Sequence, residues 1–189
     1  MSFLVLGGSF NPVHIGHLIM AEEVATQFGY GRVILVPAFM PPHKDLVDDP
    51  GPEHRLAMLR LAVVGQELFS VDDCELRRGG PSYTVDTLAD LIARLRPDGR
   101  PALLIGDDLA EGFTSWREPG RILGMARLIV ARRSGLSYEL GLAHESAGNL
   151  LVPISSTLVR QRVRDGGAWK NLVPPGVASY MDAHGLYRN

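Results

Sequence analysis

The sequence predicts an α/β fold in which a mostly parallel sheet carries helices on both faces. Three observations lead there. Short apolar runs recur along the chain, each closed by glycine, proline or charge. Between them lie segments whose apolar residues repeat at helical spacing. Alternation of that kind implies βαβ units, whose crossover helices pack on both faces of a parallel sheet.

Taken in order, Phe3 to Leu6 is a buried strand ended by glycines. Ile15, Leu18, Ile19, Val24, Ala25 and Phe28 fall at helical spacing, and Gly29 closes that helix. Val33 to Val36 is a second strand, stopped by Pro37. The irregular stretch PAFMPPHKDLVDDPGP, residues 37–52, is rich in proline and acid. Arg55 to Val64 is a second helix and Phe69 to Asp72 a short strand. In SYTVDTLADLIARL, Leu88, Leu91, Ile92 and Leu95 mark a third helix. Ala102 to Ile105, Ala126 to Ala131 and Leu150 to Val152 are expected strands, and Ser156 to Arg164 and Gly176 to His184 are the closing helices. No internal repeat, low-complexity tract or linker interrupts the pattern, so residues 1–189 are read as a single domain.

Composition narrows the function classes. With 46% hydrophobic and 21% charged residues and a net charge of −2, nothing marks a nucleic-acid-binding surface. No apolar run is long enough to span a bilayer, and the N-terminus lacks the basic region of a signal peptide. The expected compartment is the cytoplasm, with no membrane partner. A lone Cys74 excludes an internal disulfide and is read as a small buried hydrophobe. Assembly into a homo-oligomer is left open.

In parallel sheets ligands bind beyond the carboxyl ends of the strands, at the point where strand order reverses. The unusual residues fall in such loops: 7–17, 37–44, 106–116 and 132–133. The stretch GGSFNPVHIGH, residues 7–17, joins the end of a strand to the start of a helix. A helix start offers free N–H groups and a partial positive charge, which suit phosphate. Gly16 removes bulk from the first turn. His14 and His17 lie about one turn apart, on one side of the helix. Both are able to bond one phosphate group and, protonated, to stabilise charge developing on it. The spacing fits neither the dinucleotide fingerprint G-x-G-x-x-G nor a Walker loop with its lysine.

GGSFNPVHIGH resembles the phosphate-binding motif of the HxGH nucleotidyltransferases, in the form used by bacterial nicotinate mononucleotide adenylyltransferases. Further matches are spread over nearly the whole chain: PPHK at 41–44, PSYTVDTL at 81–88, IGDD at 105–108, Trp116, ARLIVARR at 126–133, ISSTLVRQRV at 154–163 and HGLY at 184–187. The resemblance implies a Rossmann-like nucleotidyltransferase fold. It implies the reaction of ATP with nicotinate mononucleotide to nicotinate adenine dinucleotide and pyrophosphate, with Mg²⁺ held mainly through the ATP phosphates. It gives Gly7, Gly8, Ser9, Phe10, His14 and His17 to ATP, with Ser156 and Arg160 on its β- and γ-phosphates. His14, His17 and Lys44 become the catalytic set.

Several of these motifs also read on their own residues. In ISSTLVR, Ser155 or Ser156 is a good N-cap, Leu158, Val159 and Val163 form a buried stripe, and Arg160 stands one turn beyond the hydroxyl. That is a second anion site, with Arg162 and Arg164 left to solvent. In MPPHK, prolines stiffen a loop that carries His43 and Lys44. In PSYT, hydroxyls and N–H groups gather at another helix start, which suits a carboxylate. The resemblance gives nicotinate mononucleotide to Lys44, Ser82, Tyr83, Thr84, Asp108, Trp116 and Arg133, with Trp116 stacking on the pyridine. Asp108 matches the family's G-x-D carboxylate and Asp107 its variable position. Arg133 matches the arginine near the mononucleotide phosphate, with Arg132 as its alternative. The rival readings are the same chemistry on nicotinamide mononucleotide or phosphopantetheine, and a sensor that binds adenine nucleotides without turnover.

Overall fold

The computed structural model describes residues 2–42, 46–135 and 138–188. Five strands that the sequence anticipates pair in parallel: β1 (Leu4–Gly8), β2 (Val33–Pro37), β3 (Phe69–Val71), β4 (Ala102–Gly106) and β5 (Arg127–Ala131). A sixth, β6 (Glu145–Ser146), adds to the edge, giving the order β3-β2-β1-β4-β5-β6. The chain builds outward from β1 through β2 to β3, returns to pair β4 with β1, and then builds outward on the other side. Strand order therefore reverses between β1 and β4, and a crevice opens beyond their carboxyl ends.

Both faces of the sheet are covered, which explains why its strands read as unbroken apolar runs. Successive side chains point to opposite faces. Leu4, Leu6, Val33 and Leu35 pack on one side against α1 (Ile15–Phe28), α2 (Pro52–Ala62), α7 (Ser156–Arg164) and α8 (Pro175–Ala183), through residues such as Val24, Leu59, Val159 and Val177. Val5, Ile34, Val36 and Leu103 pack on the other, against Val85, Leu88 and Leu91 of α4 (Thr84–Leu95) and Ile122 of α6 (Pro119–Met125). The short α3 (Cys74–Arg78) and α5 (Asp107–Ala110) sit in the connections after β3 and β4.

One expected strand is corrected. Leu150 to Val152 forms no strand: Leu150 is 61% exposed, and the residues that pair with β5 are Glu145 and Ser146. The cause is Asn149. Its side chain accepts from the Arg132 N–H at 2.8 Å and donates to the Arg132 carbonyl at 2.8 Å, so it takes the backbone groups that a longer strand would need. Helix α2 begins earlier than expected, at Pro52, whose fixed φ and missing N–H suit a first helical position. No helix among the described residues is long and apolar enough to cross a membrane.

Candidate active site

A cavity of about 450 Å³ opens at the carboxyl ends of β1, β2 and β4. Twelve of the residues singled out in the sequence line it: Gly7, Gly8, Ser9, Phe10 and His17 after β1; Ser82, Tyr83 and Thr84 at the start of α4; Asp108 and Trp116 after β4; Arg133 after β5; and Ser156 on α7. His14 faces a smaller hollow that shares His17, Met20 and Arg133 with the cavity. Arg160 is buried behind the lining. Lys44 lies outside the described residues.

The β1 loop is built around its small residues. At Gly7 a β-carbon would meet nothing within 4 Å, so the strand end faces open space. Phe10 takes a left-handed backbone (φ 46°) and turns its ring into the core, 5.1 Å from the His17 ring. His14 caps α1 from extended backbone, and its N–H donates to Nδ1 of His17 at 3.2 Å. The two imidazoles lie 3.7 Å apart between centroids, tilted by 31°. Gly16 differs from expectation. A β-carbon there would come within 3.1 Å of His14 Nδ1, so Gly16 admits the His14 ring rather than an anion directly.

His14 is 2% exposed, and neither ring nitrogen has a hydrogen-bond partner among the described residues. Burial, aided by the charge of Arg133, pushes its pKa down to about 3, so the ring is neutral at pH 7. His14 is thus no cation in the free protein, and the protonated form that would stabilise developing charge calls for an anion beside it. Unpartnered nitrogens in a buried ring are costly, and a phosphate oxygen brought beside one of them would accept from its N–H and favour the protonated ring.

At the start of α7, Ser155 is the N-cap and accepts from the Leu158 N–H at 3.1 Å. Ser156 Oγ donates to the Pro12 carbonyl at 2.9 Å, and Arg160 Nη1 donates to the Asn11 carbonyl at 2.7 Å. Both residues brace the β1 loop. Arg160 Nε stands 3.7 Å from Asp48, which also pairs with Arg164. Arg164 is thus not merely solvated. From the far end of the chain Tyr187 adds a further brace, its hydroxyl donating to Asn11 Oδ1 at 2.7 Å.

The doubled aspartate divides its work. Asp107 is buried and accepts from the N–H groups of Arg133, Ser134 and Gly135 and from the Ser134 hydroxyl. Burial works upward on its carboxyl, but these bonds outweigh it and hold the group below its ordinary range. Asp108 faces the cavity and pairs with Arg133 at 3.0 Å. Gly106 makes room for that pair, since a β-carbon there would lie 2.3 Å from Asp108 Oδ1 and 2.9 Å from Arg133 Cδ.

At the other end of the cavity, Trp116 packs on Phe113 at 5.1 Å, and the Arg117 guanidinium covers the Tyr83 ring at 4.6 Å. Thr84 opens α4, whose first N–H groups have no acceptor within the helix. The Ser82 hydroxyl differs from expectation because it is already engaged, accepting from the N–H groups of Phe39 at 2.9 Å and Met40 at 3.3 Å.

Sequence reasoning missed Arg55. It is 0% exposed, on α2, and donates to the carbonyls of Ser9 (2.9 Å), Ala38 (2.6 Å) and Phe39 (3.3 Å) and to Asp49 (2.9 Å). One rigid guanidinium thus ties the β1 loop to the β2 loop. Its only sequence signal is a charge on the apolar face of α2, four residues before Leu59.

Comparison with known proteins accords with this geometry. Residues 5–162 match the model of the Cytidylyltransferase-like family. The chain is 36% identical to the "Probable nicotinate-nucleotide adenylyltransferase" of Borreliella burgdorferi, over 99% of this chain and 97% of that protein. It is 37% identical to the one of Enterococcus faecalis, over 98% and 84% respectively. Among solved structures, the Plasmodium falciparum nicotinic acid mononucleotide adenylyltransferase complexed with NaAD superposes with a TM-score of 0.77 at 17% identity, covering 98% of this chain and 97% of that one, and shares the fold. On sequence and fold together, the chain belongs to the Cytidylyltransferase-like family and, within it, to the nicotinate-nucleotide adenylyltransferases.

Proposed function

We propose that this chain transfers the adenylyl group of ATP to nicotinate mononucleotide in NAD biosynthesis, with residues 1–189 acting as one nucleotidyltransferase domain in the cytoplasm. An oxygen of the mononucleotide phosphate attacks the α-phosphorus of ATP. The bond from that phosphorus to the oxygen bridging to the β-phosphate breaks, and the electron pair leaves with pyrophosphate. One observation carries the reading: a cavity runs from His17, beside the buried His14 whose ring nitrogens have no hydrogen-bond partner among the described residues, to Trp116 and the start of α4. Two small molecules with one reacting phosphate between them fit that layout. The names of the relatives point to the same pair of substrates.

Catalysis in this reading is positioning and charge stabilisation, with no covalent intermediate on the protein. His14 and His17 hold the reacting phosphates at the start of α1. Gly7 to Phe10 leave room for ATP, and Ser156 and Arg160 serve its outer phosphates by holding the β1 loop through the carbonyls of Pro12 and Asn11. Lys44 supplies a point charge. Arg133 serves the mononucleotide phosphate and Asp108 the ribose hydroxyls. Tyr83 and Thr84 present N–H groups to the pyridine carboxylate, Ser82 supports them, and Trp116 stacks on the ring.

The metal fits through ATP rather than through a protein cage. The exposed carboxylate of the cavity wall, Asp108, is already paired with Arg133. The cluster of potential ligands at Asp72, Cys74 and Asp90 includes a carboxylate, Asp72, that is bonded to Arg94. Mg²⁺ would neutralise phosphate charge from the ATP oxygens.

The test is incubation with ATP, Mg²⁺ and a panel of acceptors, following pyrophosphate and identifying products by mass. Nicotinate adenine dinucleotide as the main product is the expected result. A preference for nicotinamide mononucleotide or phosphopantetheine would replace the acceptor, and binding without turnover would leave a nucleotide sensor.

A further inference from the structure

Arg117 follows Trp116 in the cavity lining, and the reaction has so far given it no role. The described lining carries two arginines, and they differ in what neutralises them. Arg133 is hydrogen-bonded to Asp108 at 3.0 Å. Arg117 makes no hydrogen bond through its side chain among the described residues. The carboxylate nearest to it is that of Glu118, 3.9 Å from Nε, and Glu118 Oε2 accepts from Arg121 Nη1 at 3.3 Å instead. Five N–H donors are therefore uncommitted to protein acceptors. The group is nevertheless held in place. It lies over the Tyr83 ring, 4.6 Å from the centroid, so the residue that caps α4 fixes it at the acceptor end of the cavity. The backbone beside it is set by Glu118, whose φ of 53° is left-handed, and by Pro119, which opens α6. The acids of the same lining give that charge its meaning. Asp108 is taken by Arg133, but Glu75 of α3, 6% exposed, stands one turn along α4 from Tyr83, accepting from Thr87 Oγ1 at 2.5 Å. A carboxylate on that wall repels an anionic ligand, so an acid is admitted there only where a cation faces it.

We propose that Arg117 is a specificity-determining residue for the acceptor: its guanidinium, seated on Tyr83, takes the carboxylate of a pyridine acid stacked on Trp116, and its charge selects that acid over the neutral amide of the same shape. The assignment rests on the reading of this cavity as the adenylyltransferase site and adds to it a source of selection. Backbone N–H groups at the start of α4 hydrogen-bond to the oxygen of an acid or of an amide alike. A guanidinium separates the two, because its bond to a carboxylate is charge-assisted and its donors find only one acceptor atom on an amide.

The experiment measures kcat/KM for nicotinate mononucleotide and for nicotinamide mononucleotide at saturating ATP, in the wild type, Arg117→Gln and Arg117→Lys. Calorimetric binding of each mononucleotide without ATP runs beside it. A hydrogen bond to a charged group corresponds to roughly a tenfold change or more in an equilibrium constant. For Arg117→Gln the expected result is a fall of about tenfold in kcat/KM for the acid, carried by KM, with the amide and the KM for ATP changed by less than about twofold. Arg117→Lys keeps the charge and is expected to restore most of the lost preference. The side chain is 53% exposed, so both variants should melt with the wild type. An equal fall for acid and amide, an unchanged ratio in Arg117→Gln, or a lysine variant no better than the glutamine one would overturn the proposal. A wild type that fails to adenylate nicotinate mononucleotide would overturn the proposed function instead, and the ratio of the two binding constants would still judge Arg117.

Discussion

Lowering the pH from 7 to 5 is expected to destabilise this protein by about 2 kcal/mol through His14 alone. The sign follows from the direction of the shift. The folded pKa is depressed to about 3, against 6.5 for an ordinary histidine. Above pH 6.5 the ring is neutral in both states and contributes no pH dependence. Between about 6.5 and 3 the unfolded chain binds a proton that the folded chain refuses, so stability falls as pH falls, by roughly 1.4 kcal/mol per unit. Below about 3 both states are protonated and the loss levels off. Two units down from pH 7 cross the first half of that window. The assay is urea denaturation at a series of pH values for wild type and His14→Gln. Other groups titrate in both proteins, so the difference between the two slopes isolates His14. NMR titration of the ring should agree, with no protonation near pH 6, and saturating pyrophosphate should move the transition upward. Equal pH slopes for the two proteins would refute the reasoning, because the buried ring would then titrate as it does in water.

Three further substitutions bear on the site. His17→Ala should fold and lose on the order of 10²–10³ in turnover, as loss of one donor to developing charge does elsewhere; a folded variant with near wild-type turnover removes the role. Arg160→Ala should raise the KM for ATP more than that for the mononucleotide, since Arg160 holds Asn11 of the β1 loop; steady-state kinetics with each substrate varied decides it. Gly106→Ala should force Asp108 and Arg133 apart, costing about 1–3 kcal/mol of stability as overpacking does. It should raise the mononucleotide KM while sparing ATP, and a thermal melt with the same kinetics checks both.

How far the sequence could be read depended on whether a signal was local. Val33–Pro37 or Thr84–Leu95 announced themselves because their periodicity spans only neighbours. The HxGH loop did so because glycines and paired histidines are rare together. Short elements carried no such signal: α3, α5 and α6 are one or two turns, too few for a repeat to register. Leu150 to Val152 misled because apolar composition cannot reveal that an asparagine side chain already occupies the edge of β5. The site residues were legible as chemical types but not as partners. Ser82 reads as a hydroxyl for a ligand, yet its bonds go to Phe39 and Met40. His14 reads as a cation, yet burial keeps it neutral. Arg55 and Glu75 look like surface charges, because only the tertiary fold closes over them.

The braces on the β1 loop bear on how the chain comes off the ribosome. Asn11 and Pro12 are held by Arg160, Ser156 and Tyr187, which follow them by 149, 144 and 176 positions. Synthesis proceeds from the N-terminus, so the phosphate loop is among the first segments to emerge and among the last to be locked. Contacts of such long separation close slowly, because the intervening loop must be ordered first. A nascent chain released only as far as α8 would carry both histidines of the HxGH motif and Arg160, yet Asn11 Oδ1 would still lack the Tyr187 hydroxyl. Activity should therefore appear only after Tyr187 has left the exit tunnel, and a chain stalled before that point should hold its first strand without a working phosphate site.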